Sequence, residues 1–172
     1  MTPTIDTTIA LIESSEREAQ SLRTILEPSR IAVDHYKGAQ EALDDLTEKK
    51  YPLILINPHN IEASGEGASL LDAEIRRILG ASQGKSVGAW NVGLYVIKKL
   101  REDDSTHREI PIVVVTYIEE SGASNIPDAE QSAMKAGATG YINLMRYDNE
   151  RLCIKLLEYL GRRAEALARS AH

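Results

Sequence analysis

The chain has 172 residues, of which 42% are apolar and 27% charged, an ordinary balance for one globular domain. Its formal net charge of −6 argues against a broad nucleic-acid or anionic-membrane surface. No apolar run approaches the roughly 20 residues needed to span a bilayer, and Met1-Thr2-Pro3-Thr4-Ile5-Asp6 lacks the regions of a signal peptide. A single cysteine, Cys153, excludes an internal disulfide framework and a multi-cysteine metal site. The expectation is an acidic, cytoplasmic, single-domain protein over residues 1–172. Phe is absent, and the one Trp lies at position 90.

Ile9-Ala10-Leu11-Ile12 is a short apolar run that reads as a strand. Ala19, Leu22, Ile25 and Leu26 then recur at helical spacing, and Ser15 with Glu18 fits a capping box at that helix's start. Ile31–Tyr36 predicts a second strand, and Ala39, Ala42, Leu43 and Leu46 a second helix. Leu53-Ile54-Leu55-Ile56 is a third strand, stopped by Asn57-Pro58. Val92, Tyr95, Val96 and Leu100 mark a helix, and Ile112–Val115 a β-branched strand. Ala129 to Ala136 is a shorter helix, closed by Gly137. Gly140-Tyr141-Ile142 is a fifth strand, and Cys153, Leu156, Leu157 and Leu160 belong to a last helix over about 149–169. Five β-α repeats with near-continuous apolar strands imply a parallel sheet covered on both faces by helices. Ligands on such sheets collect at the carboxyl ends of the strands. Those ends are Glu13-Ser14-Ser15, Asn57-Pro58-His59, Thr116-Tyr117 and Asn143-Leu144-Met145.

Several of these segments resemble the response-regulator receiver domain of two-component signalling. Leu11-Ile12-Glu13-Ser14-Ser15 is similar to the family's first strand and acidic pair, and Tyr51–Pro58 to its third strand, which ends in the phosphoacceptor aspartate. Gly93–Arg101 resembles the third helix. Ile110–Thr116 resembles the fourth strand with its switch Thr or Ser, and Ala136–Ile142 the approach to the fifth strand. The resemblance covers the chain apart from roughly residues 60–90. It implies a flavodoxin-like, doubly wound five-stranded parallel sheet in three α/β/α layers, with a helical insertion between strand 3 and helix 3.

Carried over position by position, the resemblance implies a degenerate phosphoacceptor pocket of Glu13, Ser14, Asn57, Thr116 and Leu144. Asn57 stands at the acceptor position, and an amide oxygen is a poor nucleophile. The pair that holds Mg²⁺ in the family becomes Glu13-Ser14, one of them uncharged, which leaves Mg²⁺ poorly supported and no cofactor expected. The lysine position falls on Leu144 and the following proline on Met145. Thr116 and Tyr141 keep the family's identities, Tyr141 at the switch-aromatic position on a partner face. Tyr117 replaces a small residue, so its ring is placed to fill the phosphate-access route. Deamidation of Asn57 is disfavoured, because Pro58 has no backbone N–H for the succinimide route.

Asn57 and Gly93 are 36 positions apart, far more than a receiver usually places there. Within this insertion Ser69 to Leu79 predicts an amphipathic helix with Leu71, Ile75 and Ile78 on one face, stopped by Gly80. Gly80-x3-Gly84-Lys85-Ser86 is one residue short of a phosphate loop and follows a helix rather than a strand. His35, His59, His107 and His172 have no ligand spacing, so no metal site is expected. Cys153 lies on an apolar helical stripe and reads as a core residue.

The expected function is a stand-alone atypical receiver, not an enzyme and without catalytic residues, acting by protein contact rather than aspartyl phosphorylation. The sequence after the last helix leaves no length for an output domain. The partner is a histidine kinase, another signalling protein or a second copy of the chain; neither nucleic acid nor membrane is expected. Two alternatives stand beside it: a phosphorelay receiver using a non-standard acceptor, and a small-molecule sensor or enzyme on the same fold with the insertion as a lid.

Overall fold

The computed structural model describes residues 7–58, 61, 73, 75, 77, 89–102, 107–117 and 129–170, with 89 and 162–170 as backbone only. In chain order they form β1 (Thr7–Ile12), α1 (Glu16–Leu26), a 3₁₀ turn (Glu27–Ser29), β2 (Ile31–Tyr36) and α2 (Ala39–Glu48). Then come β3 (Ile54–Ile56), α3 (Ala89–Leu100), β4 (Ile112–Thr116), α4 (Ala129–Ala136), β5 (Gly140–Asn143), a second 3₁₀ turn (Leu144–Arg146) and α5 (Asn149–Ser170). The strands pair in parallel in the order β2-β1-β3-β4-β5. This is the expected flavodoxin-like order. All five strands predicted from apolar runs are present, β3 starting one residue later than expected.

Alternation along the strands explains the three layers. Ala10, Ile12, Ile54, Ile56, Ile112 and Val114 face α2, α3 and α4. Ile9, Leu11, Leu55, Val113, Val115 and Ile142 face α1 and α5. Every residue of β4 is fully buried, which accounts for a β-branched run with no polar face. Each such Val or Ile contributes roughly 1.5–3 kcal/mol on burial. Cys153 lies in the α1/α5 layer as expected, its thiol 2.9 Å from Ser29 Oγ.

Only parts of the insertion are described. Ala73, Ile75 and Arg77 are helical, within the helix expected over 69–79. Ile61 and Ile75 are buried in the layer that holds α2, α3 and α4. The glycine-rich segment 80–88, His59 and His172 lie outside the described residues. No helix among the described residues is long and apolar enough to cross a membrane.

Gly93 and Gly137 are two of the positions where the packing requires glycine. A Cβ on Gly93 would fall 2.3 Å from Pro58 Cβ, so α3 passes directly against the residue after Asn57. Gly137 has φ +108°, and a Cβ there would meet Arg101 Cγ at 2.7 Å.

Candidate functional site

The chain order reverses between β1 and β3, and parallel sheets open a crevice at that point. Ile12 pairs with Ile56, so Glu13 and Asn57 are the next residues out on adjacent strands. The Asn57 N–H donates to Ile12 O at 2.9 Å, and the Glu13 N–H donates to Tyr36 O at 2.9 Å. Both side chains are buried, Glu13 at 1% and Asn57 at 2% exposure.

Three carboxyl and amide groups meet there. Asn57 Nδ2 donates to Glu13 Oε2 at 2.5 Å and to Glu18 Oε2 at 3.2 Å. Glu13 Oε1 accepts from the Ser15 N–H at 2.7 Å. His35 Nε2 holds the Glu13 carbonyl oxygen, while its Nδ1 lies 3.6 Å from Glu16 Oε2. Burial pushes the Glu13 carboxyl up to about 7; the Ser15 N–H opposes this, hydrogen bonding to Glu18 and its charge add to it, and Asn57 lowers it.

Glu18 is the residue that sequence reasoning placed elsewhere. Its backbone N–H does donate to Ser15 Oγ, at 3.4 Å, as a capping box requires. Its carboxylate instead turns to Asn57, and Glu13 takes the Ser15 N–H. The expectation of a single remaining acid, Glu13, is therefore corrected: the pocket holds two. The available signal was position, because the third residue of α1 sits over the end of β1. Ser14, half-buried between them, makes none of these bonds.

The β4 and β5 ends supply the remaining groups. Thr116 is fully buried and donates from Oγ1 to Tyr141 Oη at 3.2 Å. Tyr117 is half-buried against the α1/α5 layer. Its hydroxyl is pushed up to about 12 by burial, then by the charges of Glu18 and Glu13, with Arg17 opposing. Leu144 begins the 3₁₀ turn after β5 and packs into the α1/α5 layer. Asn143 Oδ1 caps that turn by accepting from the Met145 N–H at 3.1 Å.

The fold has counterparts among solved structures. A two-component response regulator from Clostridium difficile matches with a TM-score of 0.59 and 23% identity, over 91% of this chain and 97% of that one. The fold is that of a response-regulator receiver domain. The receiver domain of a sensor histidine kinase from Pseudomonas aeruginosa, with a magnesium ion coordinated in its active site cleft, matches at TM-score 0.60 and 13% identity, over 91% and 99%. NtrX from Brucella abortus matches at TM-score 0.66 and 16% identity, over 97% of this chain but 29% of that longer one. No family model and no curated protein sequence matches.

Asn57 follows β3 directly, Thr116 ends β4, and Tyr141 lies within β5, where it meets Thr116. The magnesium of the Pseudomonas domain can be tested against the donors present here. Asn57 turns its NH₂ toward both carboxylates, which leaves Oδ1 as the one atom of its side chain able to ligate a cation. One Glu13 oxygen is committed to the Ser15 N–H. No group of three or more His, Cys, Asp or Glu residues is placed to hold a metal among the described residues. A divalent cation prefers several carboxylate and water oxygens in tight geometry, and the described residues bring two carboxyl groups, Glu13 and Glu18, to this point.

Proposed function

We propose that this chain is a receiver-type signalling module that does not take a phosphoryl group at position 57 and acts by contact with a protein partner. The carrying observation is the Asn57 amide bonded to both Glu13 and Glu18. Formation of an acyl phosphate needs a carboxylate oxygen as nucleophile, and the Asn57 side chain has none. Leu144 in place of a lysine leaves no cation from β5 to stabilise an incoming anion. Tyr117 narrows the approach with an aromatic ring. The Glu13 and Glu18 carboxyl groups, both bonded to Asn57, already fill the space around its amide.

The pocket is therefore read as a structural core of the site, with no catalytic residues and no cofactor. The partner face is assigned to α4, β5 and α5, where Tyr141 is half-buried and Met134, Met145 and Ile154 are exposed. Its occupant is a second copy of the chain, a histidine kinase or another signalling protein.

Incubation with acetyl phosphate and Mg²⁺ followed by intact-mass measurement tests this reading. The expected spectrum is that of the unmodified chain. A stoichiometric phosphoryl adduct would overturn it and support phosphorelay through a non-standard acceptor.

A further inference from the structure

β2 forms one edge of the sheet, on the side opposite β5 and the partner face assigned above. Its pairing with β1 is continuous from Ile31 to Tyr36, without a bulge. At the two ends Arg30 O accepts from the Thr7 N–H at 3.4 Å and Tyr36 O from the Glu13 N–H at 2.9 Å. Main-chain groups along a parallel strand alternate between its two sides, so Ala32 and Asp34 turn theirs to β1. Ile31, Val33 and His35 turn their N–H and C=O outward, where no strand among the described residues pairs with them.

The side chains at this edge are sorted by face. Ile31 is buried in the α1/α5 layer and Val33 packs against it. Beside them a groove of about 460 Å³ runs between β2, over 30–33, and Gln20, Arg23, Thr24 and Glu27 of α1. Two arginines, Arg23 and Arg30, and one glutamate line it, on a chain whose net charge is −6. On the opposite face Ala32 and Asp34 are exposed, and Asp34 Oδ2 accepts from the Tyr51 hydroxyl at 2.6 Å.

We propose that the β2 edge takes an extended segment of a partner protein as an added strand, with acidic side chains at alternate positions seated in the groove between α1 and β2. Main-chain hydrogen bonds to Ile31, Val33 and His35 hold such a strand, and its alternate side chains read the groove. Arg23 is able to turn to an incoming carboxylate, because its 3.1 Å bond to Glu16 joins exposed side chains, and such pairs are weak. Glu16 keeps Lys37 at 3.0 Å when Arg23 leaves it. Asp34 repels an acid on the other face, so the positions between the acidic ones are uncharged. A second copy of this chain fits worse, since two-fold pairing of β2 with itself sets the groove and its arginines against their own copies. The inference goes beyond the signalling reading, because this edge is neither the strand-end pocket nor the face of α4, β5 and α5.

Backbone-amide NMR of the whole chain, titrated with the end-blocked heptapeptide Thr-Asp-Thr-Asp-Thr-Asp-Thr, reads this binding. The Ile31, Val33 and His35 resonances are expected to move together. The same peptide with asparagine for aspartate is expected to bind about tenfold more weakly. Arg23→Gln should remove most of that difference and leave weak binding of both peptides. Val33→Pro removes an outward N–H where an edge strand accepts proline, and should abolish binding of both. Absence of shifts at millimolar peptide overturns the proposal, as do equal affinities for the two peptides. An undiminished preference in Arg23→Gln does the same, and this variant decides the question should the proline variant unfold. Movement of the three resonances with chain concentration alone would assign the edge to a second copy and also overturn it.

Discussion

Asn57 donates its side-chain N–H to Glu13 across the gap between β3 and β1, at 2.5 Å and with both residues buried. An aspartate at this place would set a third carboxylate against Glu13 and Glu18. The amide instead supplies hydrogen-bond donors to both carboxyl groups.

Asn57→Asp reverses that relationship. It should cost about 2–4 kcal/mol at neutral pH without a divalent ion, because it leaves an uncompensated charge in a buried site. Millimolar Mg²⁺ should recover part of the loss, since binding to the folded state alone stabilises it. Urea unfolding with and without Mg²⁺ measures both effects. The unmutated chain should show no stabilisation by Mg²⁺ under the same conditions.

Stability should fall as pH rises from about 4.5 to about 7, insofar as Glu13 governs it. Its carboxyl group titrates at 4.5 ordinarily and at about 7 when folded. Between these values the folded state holds a proton that the unfolded state has released, so the slope of stability against pH is negative. The loss should total about 1–3 kcal/mol and level off above the folded value. Glu16 and Asp45, held low mainly by hydrogen bonds from Lys37 and Lys49, act in the opposite sense. Glu13→Gln isolates the effect, because it removes the titration and should flatten the difference between the two chains' pH profiles.

Arg101 ties two loops to the sheet. Its Nε donates to Gly137 O at 2.8 Å, and its terminal nitrogens reach His107 O, Arg108 O, Ile110 O and Thr139 Oγ1 at 2.7–3.1 Å. Removing it strands several carbonyl groups, two of them on the buried residues His107 and Ile110. Arg101→Ala should cost about 2–4 kcal/mol. Arg101→Lys should recover little of it, because an ammonium cannot reproduce the planar fork. Thermal unfolding of the three chains decides this.

Gly93→Ala should disturb the site from behind. The added Cβ meets Pro58 at 2.3 Å, a backbone-linked atom that cannot swing away. The shift required should cost about 1–3 kcal/mol. It should also move the Asn57 side-chain amide resonances, since Pro58 is the next residue. A variant with unchanged Asn57 resonances would show that α3 yields instead.

The architecture was legible because each strand is an uninterrupted apolar run ended by polar residues. Leu55, buried beside Ile54 and Ile56, has no polar neighbour to confuse the pattern, and Asn57-Pro58 ends the run sharply. Glu13, Asn57 and Thr116 were legible as strand ends. Glu18 was not, because one residue performs two tasks: its backbone completes the cap of α1 while its carboxylate reaches into the pocket. Capping rules describe local bonds and carry no information on where a half-exposed side chain turns. His35 was missed for a related reason. It reaches the site only through the parallel register that sets Ile12 beside Tyr36, a pairing between strands separated by α1.

Beryllofluoride, a phosphoryl mimic that requires a carboxylate oxygen to complete its coordination, probes the pocket at the acceptor position itself. Fluorine NMR of the full chain with beryllofluoride and Mg²⁺ should show only free fluoride species, because Asn57 offers beryllium no carboxylate and the floor is already closed by Glu13 and Glu18. A stoichiometric set of protein-bound resonances would contradict a receiver-type module that takes no phosphoryl group at position 57.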